Sequence, residues 1–206
     1  MFAKDVIIKR CSMNLYIKNM VCQRCIIVVK QILAGIGCET NDVLLGEIKL
    51  QEELSVEKFG LLTLKLNEVG FELIQEPNQR MVETIKKLII EKVQTGFIEP
   101  HFTVSRYLKK YTLKDYSTLT KVFSANESCT IEKYFILQKL EKAKELLLYG
   151  DMAINTVARN LGYCSSQYFS LQFRKVYNYS PKEFIVAGAA ARKPIDKVCL
   201  EYTKYP

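Results

Sequence analysis

Two cysteines, Cys22 and Cys25, have the spacing and the position that metal-binding or redox chemistry requires. They lie in the segment MVCQRC, residues 20–25, between a strand-like stretch and an apolar stretch that is typical of a helix. Free backbone N–H groups at a helix N-terminus stabilise a thiolate, so we expect the pKa of both thiols to be lowered. Arg24 lies between them and should lower both pKa values further, although its charge also opposes a bound cation. Because Cu(I) and Zn(II) prefer thiolate ligands, the motif predicts a soft-metal site.

Two other interpretations of this cysteine pair stay open from the residues alone. A C-x-x-C segment beside a βαβ pattern is also typical of thioredoxin-like redox proteins. Such redox sites normally have a cis-proline opposite the cysteines, and residues 1–76 contain no proline. In the third interpretation the cysteines are incidental, and the module serves dimerisation or binds another ligand.

The elements that must position the cysteines follow the order βαββαβ, which is typical of the ferredoxin-like arrangement. Periodicity and turn residues predict strands over Asn14–Met20, on both sides of Gly46 in Val43–Leu50, and over Phe71–Ile74, with helices over Cys25–Leu33 and Val56–Val69. With Met20 before the C-x-x-C and Gly70–Phe71 before the last strand, residues 13–75 resemble the heavy-metal-associated domain. This resemblance implies that Cys22 and Cys25 hold a soft metal ion.

A second group of residues with a chemical role belongs to a repeated segment. Residues 104–134 and 154–184 match each other at a fixed offset of 50, and the matches fall on apolar positions such as Phe123 and Phe173. Each copy predicts a short helix, a tight turn and a second helix, and the second helix of such a motif enters the DNA major groove. Ile131–Tyr149 predicts a long amphipathic helix between the copies, a rigid spacer that could set the two reading helices ~34 Å apart.

The positions of each copy that do not face the core carry mostly polar side chains. Phe123 and Phe173 face inward, while Asp115 and Ser165 are expected to cap the reading helices. Arg174 and Lys175 fall where DNA phosphates would run. The predicted DNA-contacting residues are Tyr116, Ser117, Thr120, Lys121, Ser166, Gln167, Ser170, Leu171, Arg174 and Lys175.

The charge of the chain is concentrated in the half that contains the repeat. Residues 1–76 hold 9 basic and 10 acidic side chains, a net charge of −1, whereas residues 77–206 hold 21 and 12, a net charge of +9. Clustered lysine and arginine in one domain are expected of a protein that binds the DNA phosphate backbone.

The carboxy-terminal half resembles the DNA-binding domain of the AraC family of bacterial transcription regulators. The resemblance covers roughly residues 100–186 and implies an all-helical double helix-turn-helix domain that binds double-stranded DNA. Asn178 stands where the family usually has glycine, and asparagine reaches positive φ more easily than most residues. The residues that match the family pattern are Ala143, Leu146–Leu147, Ile154, Ala158, Gly162–Tyr163, Tyr168–Phe169, Phe173 and Ser180–Pro181.

These observations predict an α+β chain with four parts. Residues 1–76 form the ferredoxin-like, heavy-metal-associated-like domain, 77–99 a linker helix and loop, 100–186 the DNA-binding domain, and 187–206 a tail. The apolar positions of Gln79–Gln94 are close to heptad spacing, so this linker helix either pairs with a dimer mate or packs on one of its own domains. The amino-terminal domain is an alternative route to a homodimer.

The predicted function is sequence-specific DNA binding that regulates transcription, with a response to a soft metal ion, Cu(I) or Zn(II), at Cys22 and Cys25. The alternative is a metal carrier or thiol-redox protein whose basic half is a docking surface. His101 is the only histidine and lies before the repeat, so the chain is not expected to be an enzyme. No apolar run approaches the ~20 residues of a membrane span, and seven cysteines without scaffold spacing fit a reducing compartment. We therefore expect a cytoplasmic protein.

Overall fold

The computed structural model describes residues 14–74, 76–149 and 152–188. The chain divides into two compact units, Met1–Glu76 and Pro77–Pro206. Helices predominate in the described residues, which also form one small antiparallel sheet, as expected of an α+β chain. Within them, no helix is both long enough and apolar enough to span a membrane. Most of the predicted tail, residues 187–206, lies outside the described part of the chain.

The amino-terminal unit has its elements in the order that the sequence predicts. Strands β1 to β4 are Asn14–Lys18, Thr40–Leu44, Glu47–Leu50 and Glu72–Ile74, and helices α1 and α2 are Gln23–Gly35 and Val56–Glu68. The strands form a sheet in the order β2-β3-β1-β4, in which each neighbouring pair is antiparallel. Side chains alternate between the faces of a strand, so one face packs on the helices; its core includes Leu15, Ile17, Ile48, Leu50, Val29, Leu33, Leu62 and Leu66.

Two local signals that the sequence carries are confirmed in this unit. Gly46 has a φ of 77° in the turn between β2 and β3, a backbone conformation that glycine adopts without steric cost. The Ser55 hydroxyl accepts a hydrogen bond from the backbone N–H of Lys58 at 3.3 Å and caps α2. The helix α1 begins directly after Cys22, so both cysteines lie at its amino-terminal end.

The described residues of the carboxy-terminal unit form helices α3 to α9 around a single core. Helices α4 and α5 form the first helix-turn-helix, α7 and α8 form the second, and α6 lies between them in the chain. Buried aromatic residues dominate this core, including Phe123, Tyr134, Phe169, Phe173 and Phe184. The bounds of the seven helices are Pro77–Gln94, Val104–Thr112, Tyr116–Asn126, Ile131–Tyr149, Ile154–Asn160, Ser166–Tyr177 and Pro181–Ala187.

Helix α3 packs within the carboxy-terminal unit, which is one of the two alternatives that the sequence left open for it. Its apolar residues Val82, Ile85, Ile89 and Val93 are buried in the same core as the helix-turn-helix motifs. The near-heptad face is therefore covered within its own unit. A homodimer through the amino-terminal domain stays a prediction.

A buried cluster of ion pairs also connects α3 to the first helix-turn-helix motif. The Lys86 ammonium lies 2.9 Å from a Glu83 carboxylate oxygen and 3.3 Å from a Glu127 carboxylate oxygen, which follows α5. Burial disfavours the charged amine, but the two carboxylates outweigh it and raise the pKa of Lys86. Helix α3 therefore supports the first helix-turn-helix through both apolar and ionic contacts.

Helix α6 is more deeply buried than the predicted amphipathic spacer. Every residue from Leu137 to Lys144 is buried, so two full turns of the helix have no exposed face. Inside, one Glu141 carboxylate oxygen accepts hydrogen bonds from the Lys144 ammonium and the Tyr177 hydroxyl, both at 2.9 Å. The prediction of an amphipathic helix was wrong because the contacts of α6 with α3, α5, α7 and α9 surround it on several sides.

The two helix-turn-helix motifs turn by different backbone arrangements. In the second, the N–H of Gly162 donates to Arg159 O and the N–H of Tyr163 donates to Ala158 O, the pattern of a Schellman motif. In the first, Leu113 adopts the left-handed conformation with a φ of 54°, and its N–H donates to Lys109 O. This position is one residue later than the repeat predicts, because Thr112 matches Gly162 at the offset of 50. As expected, Asn178 also has a positive φ, 65°.

Replacing Phe123 or Phe173 by alanine should destabilise the carboxy-terminal unit by roughly 3–5 kcal/mol, as for other buried aromatic residues. Both side chains are completely buried, and their positions match at the offset of the repeat. Denaturant unfolding followed by circular dichroism measures the loss. Leu171→Ala, at a side chain that is 69% exposed, is the control and should stay within ~0.5 kcal/mol of wild type. A Phe173→Ala protein with an unchanged melting temperature would contradict the assignment.

Substitutions in the turns of the two helix-turn-helix motifs should have different effects on the free energy of unfolding. An alanine Cβ at Gly162 would lie 3.0 Å from the Ile98 side chain while the backbone keeps a φ of 72°. We expect Gly162→Ala to cost about 1–3 kcal/mol, since both strain and overlap oppose it. Leu113→Gly relieves the left-handed strain, so its free energy of unfolding should be unchanged or higher by up to ~1 kcal/mol. Equal losses at the two positions in denaturant titrations would show that the turns do not differ in this way.

Candidate nucleic-acid interface

The second helix-turn-helix presents the amino-terminal part of α8 with polar side chains outward. The Ser165 hydroxyl caps this helix as predicted, accepting a hydrogen bond from the backbone N–H of Tyr168 at 3.1 Å. Phe169 and Phe173 are buried, so the opposite side of α8 faces solvent. Of the predicted contact residues there, Gln167, Leu171, Arg174 and Lys175 are exposed and Ser166 and Ser170 are half-buried.

The exposed side chains of α8 differ in what they can recognise. The Ser170 hydroxyl donates to the Ser166 carbonyl oxygen at 2.8 Å, so it is available to DNA chiefly as an acceptor. The Gln167 side-chain amide can donate and accept at a base edge at the same time, as in the pairing of glutamine with adenine. Leu171 can make only apolar contact, for example with a thymine methyl group.

The first helix-turn-helix departs from the sequence prediction at two residues. Asp115 precedes α5 but does not cap it through its side chain; its carboxylate instead pairs with the Lys109 ammonium at 3.0 Å. Tyr116 does not face outward, since it is half-buried and its hydroxyl donates to a Glu132 carboxylate oxygen at 2.5 Å. Ser117 and Lys121 are exposed as predicted, and Thr120 is half-buried with its hydroxyl donating to Tyr116 O at 2.9 Å.

The contact between Tyr116 and Glu132 changes the pKa of both groups. Burial first, and then the hydrogen bond to the neighbouring carboxylate, raise the pKa of Tyr116. Burial also favours the neutral form of Glu132 and so raises its pKa. The hydrogen bond from Tyr116 outweighs burial, and the pKa of Glu132 is lowered overall. At neutral pH the first motif therefore carries a carboxylate next to its reading helix.

Three lysines on α5, α8 and α9 have no ion-pair partner in the described part of the protein. Among the described residues, Lys121, Lys175 and Lys182 form no ion pair, and all three are exposed. An unpaired, exposed lysine favours DNA binding, because neutralising a phosphate releases counterions from the DNA. Lys182 was not predicted; its signal in the sequence is its place directly after Ser180–Pro181, at the start of α9.

A buried lysine supports the turn of the second motif, which sequence reasoning missed. The Lys139 ammonium donates to Leu161 O at 3.3 Å and lies 3.9 Å above the centre of the Tyr163 ring. Burial lowers the pKa of Lys139 to about 8. This lysine thus connects α6 to the turn of the second motif.

In the amino-terminal unit, the structure brings the two predicted thiols together. The Sγ atoms of Cys22 and Cys25 are 3.5 Å apart, and both side chains are partly buried. Burial opposes ionisation of Cys22, but hydrogen bonds from Cys25 and Arg24 outweigh it and lower the pKa of Cys22. Burial raises the pKa of Cys25, so the expectation that both thiols would be acidified holds for Cys22 and is wrong for Cys25. The described residues contain no group of three or more metal-ligating side chains.

Comparison with known proteins bears on the carboxy-terminal unit. Residues 103–186 match the helix-turn-helix domain family. The xylose operon regulatory protein of Escherichia coli K12 is 40% identical over 68 residues, which are 33% of this chain and 17% of that protein. The arabinose operon regulatory protein of Salmonella typhimurium is 27% identical over 139 residues, 68% of this chain and 48% of that protein.

A further relative, the lactose operon transcription activator of Staphylococcus xylosus, is 26% identical over 146 residues, 70% of this chain and 47% of that protein. The chain thus spans less than half the length of each of these three relatives. The resemblance of the amino-terminal unit to the heavy-metal-associated domain stays a prediction. For the carboxy-terminal part, the match to the helix-turn-helix domain family and the similarity to these regulators support the predicted resemblance.

Proposed function

We propose that this chain is a sequence-specific DNA-binding regulator of transcription. The observation that carries the proposal is the pair of helix-turn-helix motifs built on one shared core, with exposed polar side chains on α8 and α5. The net charge of +9 over residues 77–206 supplies the attraction to phosphate that DNA binding needs. The names of the three relatives, all operon regulators or activators, support the same function.

In this mechanism α8 and α5 enter successive segments of the major groove. Gln167 reads a base edge, Leu171 contributes apolar contact, and Ser117 and Lys121 serve the first motif. Arg174 and Lys175 hold the phosphate backbone and set the orientation of α8, without reading sequence themselves. Because α6 is buried along two turns, it holds the two motifs in a defined orientation and makes the protein a reader of one bipartite site.

Replacing Gln167 by alanine should lose affinity mainly for the specific site, by roughly 1–3 kcal/mol, since a base-edge hydrogen bond is lost. Lys175→Ala should weaken specific and random duplexes alike and reduce the salt slope by about one unit. The specific site is first obtained by selection from a random duplex pool, and dissociation constants are then measured at several salt concentrations.

The controls separate base reading from simple loss of fold. Each variant must keep the wild-type melting temperature, and Lys87→Gln on α3, outside both motifs, should leave both affinities unchanged. A wild-type ratio of specific to random affinity below ~10³ at physiological salt would argue against a regulator. Equal weakening of both duplexes by Gln167→Ala would remove the base-reading role of this residue.

We propose in addition that the amino-terminal unit is a ferredoxin-like module that binds a soft metal ion at Cys22 and Cys25. The 3.5 Å separation of the two sulfur atoms supports this site, as does the lowered pKa of Cys22. Two thiolates alone suit Cu(I), whereas tetrahedral Zn(II) would need further ligands, for example from a second subunit. Regulation would require the metal to bind the DNA-competent and incompetent states with different affinity.

Anaerobic titration of the reduced chain with Cu(I) and with Zn(II) tests the metal site. Wild type should take up metal and Cys22→Ser/Cys25→Ser should not, while the matched control Cys38→Ser/Cys164→Ser should behave as wild type. Equal uptake by the first double variant and wild type would exclude this pair as the site. Uptake with no change in operator affinity leaves a metal carrier. A chain that takes up no metal but forms the Cys22–Cys25 disulfide when a small-molecule disulfide is added as oxidant, which is itself reduced to two thiols, favours the thiol-redox alternative.

A further inference from the structure

A groove of about 480 Å³ runs beside the reading helix α8. One side is formed by Ser166, Gln167 and Ser170 of α8, which are predicted base readers. The other sides come from the starts of α7 and α9, where no DNA contact was predicted, and they contribute Ile154, Asn155, Ser180, Pro181 and Lys182. The groove is therefore lined in part by predicted base-reading residues.

Two side chains of this groove have unused capacity to bind an anion. Lys182 is exposed and forms no ion pair with any described residue. Asn155 is exposed, and its Oδ1 accepts the backbone N–H of Thr156 at 2.8 Å. Its amide NH₂ has no partner among the residues that the structure describes, so two donors remain available there. A cation and a neutral donor on the same groove suit a phosphodiester.

The first motif has the same positions but opposite chemistry. At the offset of 50, Lys182 matches Glu132 and Ser166 matches Tyr116. The Tyr116 hydroxyl donates to Glu132 at 2.5 Å, and both side chains line a cavity of about 390 Å³. Val104 and Ser105, which match Ile154 and Asn155, line the same cavity. Where the second motif offers a small hydroxyl and a cation, the first has a bulky ring hydrogen-bonded to a carboxylate. That carboxylate repels phosphate, and the hydrogen bond from Tyr116 keeps it ionised.

We propose that the groove beside α8 holds the DNA sugar-phosphate backbone through Lys182 and Asn155, and that its counterpart beside α5 does not. The inference rests on the proposed DNA-binding function. A helix inserted in the major groove is flanked by both backbones, so a groove along that helix, lined with donors, meets a phosphate strand. The second motif is then the backbone anchor, and the first contributes through base contacts and Lys121 alone.

The test measures the affinity of the full chain for a random-sequence duplex over a range of salt concentrations, which needs no knowledge of the operator. Lys182→Gln should weaken binding and reduce the slope of log K against log salt by about 0.9, the value for one phosphate contact. Asn155→Ala should weaken binding about fivefold to tenfold and leave the slope unchanged, because a neutral donor releases no counterion. The matched control Lys87→Gln should change neither quantity.

The reciprocal experiment transfers the chemistry of the second groove to the first. Tyr116→Ser combined with Glu132→Lys should strengthen binding and raise the slope by about 0.9, because a carboxylate is replaced by a phosphate-binding cation. Tyr116→Phe, which removes only the hydroxyl, should leave the slope unchanged. Melting temperatures show whether the double variant folds. If it does not, the salt-dependence measurements on Lys182→Gln and Asn155→Ala test the proposal by themselves.

The outcomes distinguish this inference from the proposed function. If Lys175→Ala lowers the salt slope and Lys182→Gln does not, the chain binds DNA but the backbone does not occupy this groove. If a folded Tyr116→Ser/Glu132→Lys variant shows no rise in affinity or slope, a cation at this position does not reach the backbone and the proposed difference between the two grooves is wrong. If wild type shows no salt-dependent binding to any duplex, the proposed function fails together with the inference. The expected result is a slope that is reduced by Lys175→Ala and by Lys182→Gln and raised by Tyr116→Ser/Glu132→Lys.

Discussion

The carboxy-terminal unit depends on the burial of α6 between the two helix-turn-helix motifs. Leu137 to Lys144 have no exposed face, and the helix contacts α3, α5, α7 and α9. Because packed interiors deform little, the orientation of one motif relative to the other is set by this helix. The same burial forces polar side chains inside, and the cluster of Glu141, Lys144 and Tyr177 supplies the partners that a buried charge requires.

The two motifs share an interior but differ at the surface. Phe123 and Phe173 occupy matching positions, because the core tolerates little change in volume. The surfaces are free of that constraint, and they carry Tyr116 and Glu132 in one copy where the other has Ser166 and Lys182. A repeated scaffold therefore carries two chemically different surfaces.

The two cysteines of the C-x-x-C segment lie in different local environments. Cys22 lies at the cap position of α1 and accepts hydrogen bonds that favour its thiolate, while the greater burial of Cys25 disfavours ionisation. The pKa is therefore lowered for Cys22 and raised for Cys25. Hydrogen bonds from Cys25 and Arg24 favour the thiolate of Cys22.

The sequence by itself determined the repeat, the order of the elements and most of the local stops and caps, including Gly46, Ser55, Ser165 and Asn178. These features depend on backbone conformation and on side chains within a few residues, so periodicity and residue type are sufficient to predict them.

Only the tertiary structure decided that α3 packs in the core of the carboxy-terminal unit, that α6 is buried on all sides from Leu137 to Lys144, and that Tyr116 turns toward Glu132. Each of these depends on residues far apart in the chain, since an apolar helix face does not reveal which elements will cover it. The roles of Lys139 and Lys182 were missed for the same reason: a lysine in the sequence carries no sign of whether it will lie under a turn or beside a groove.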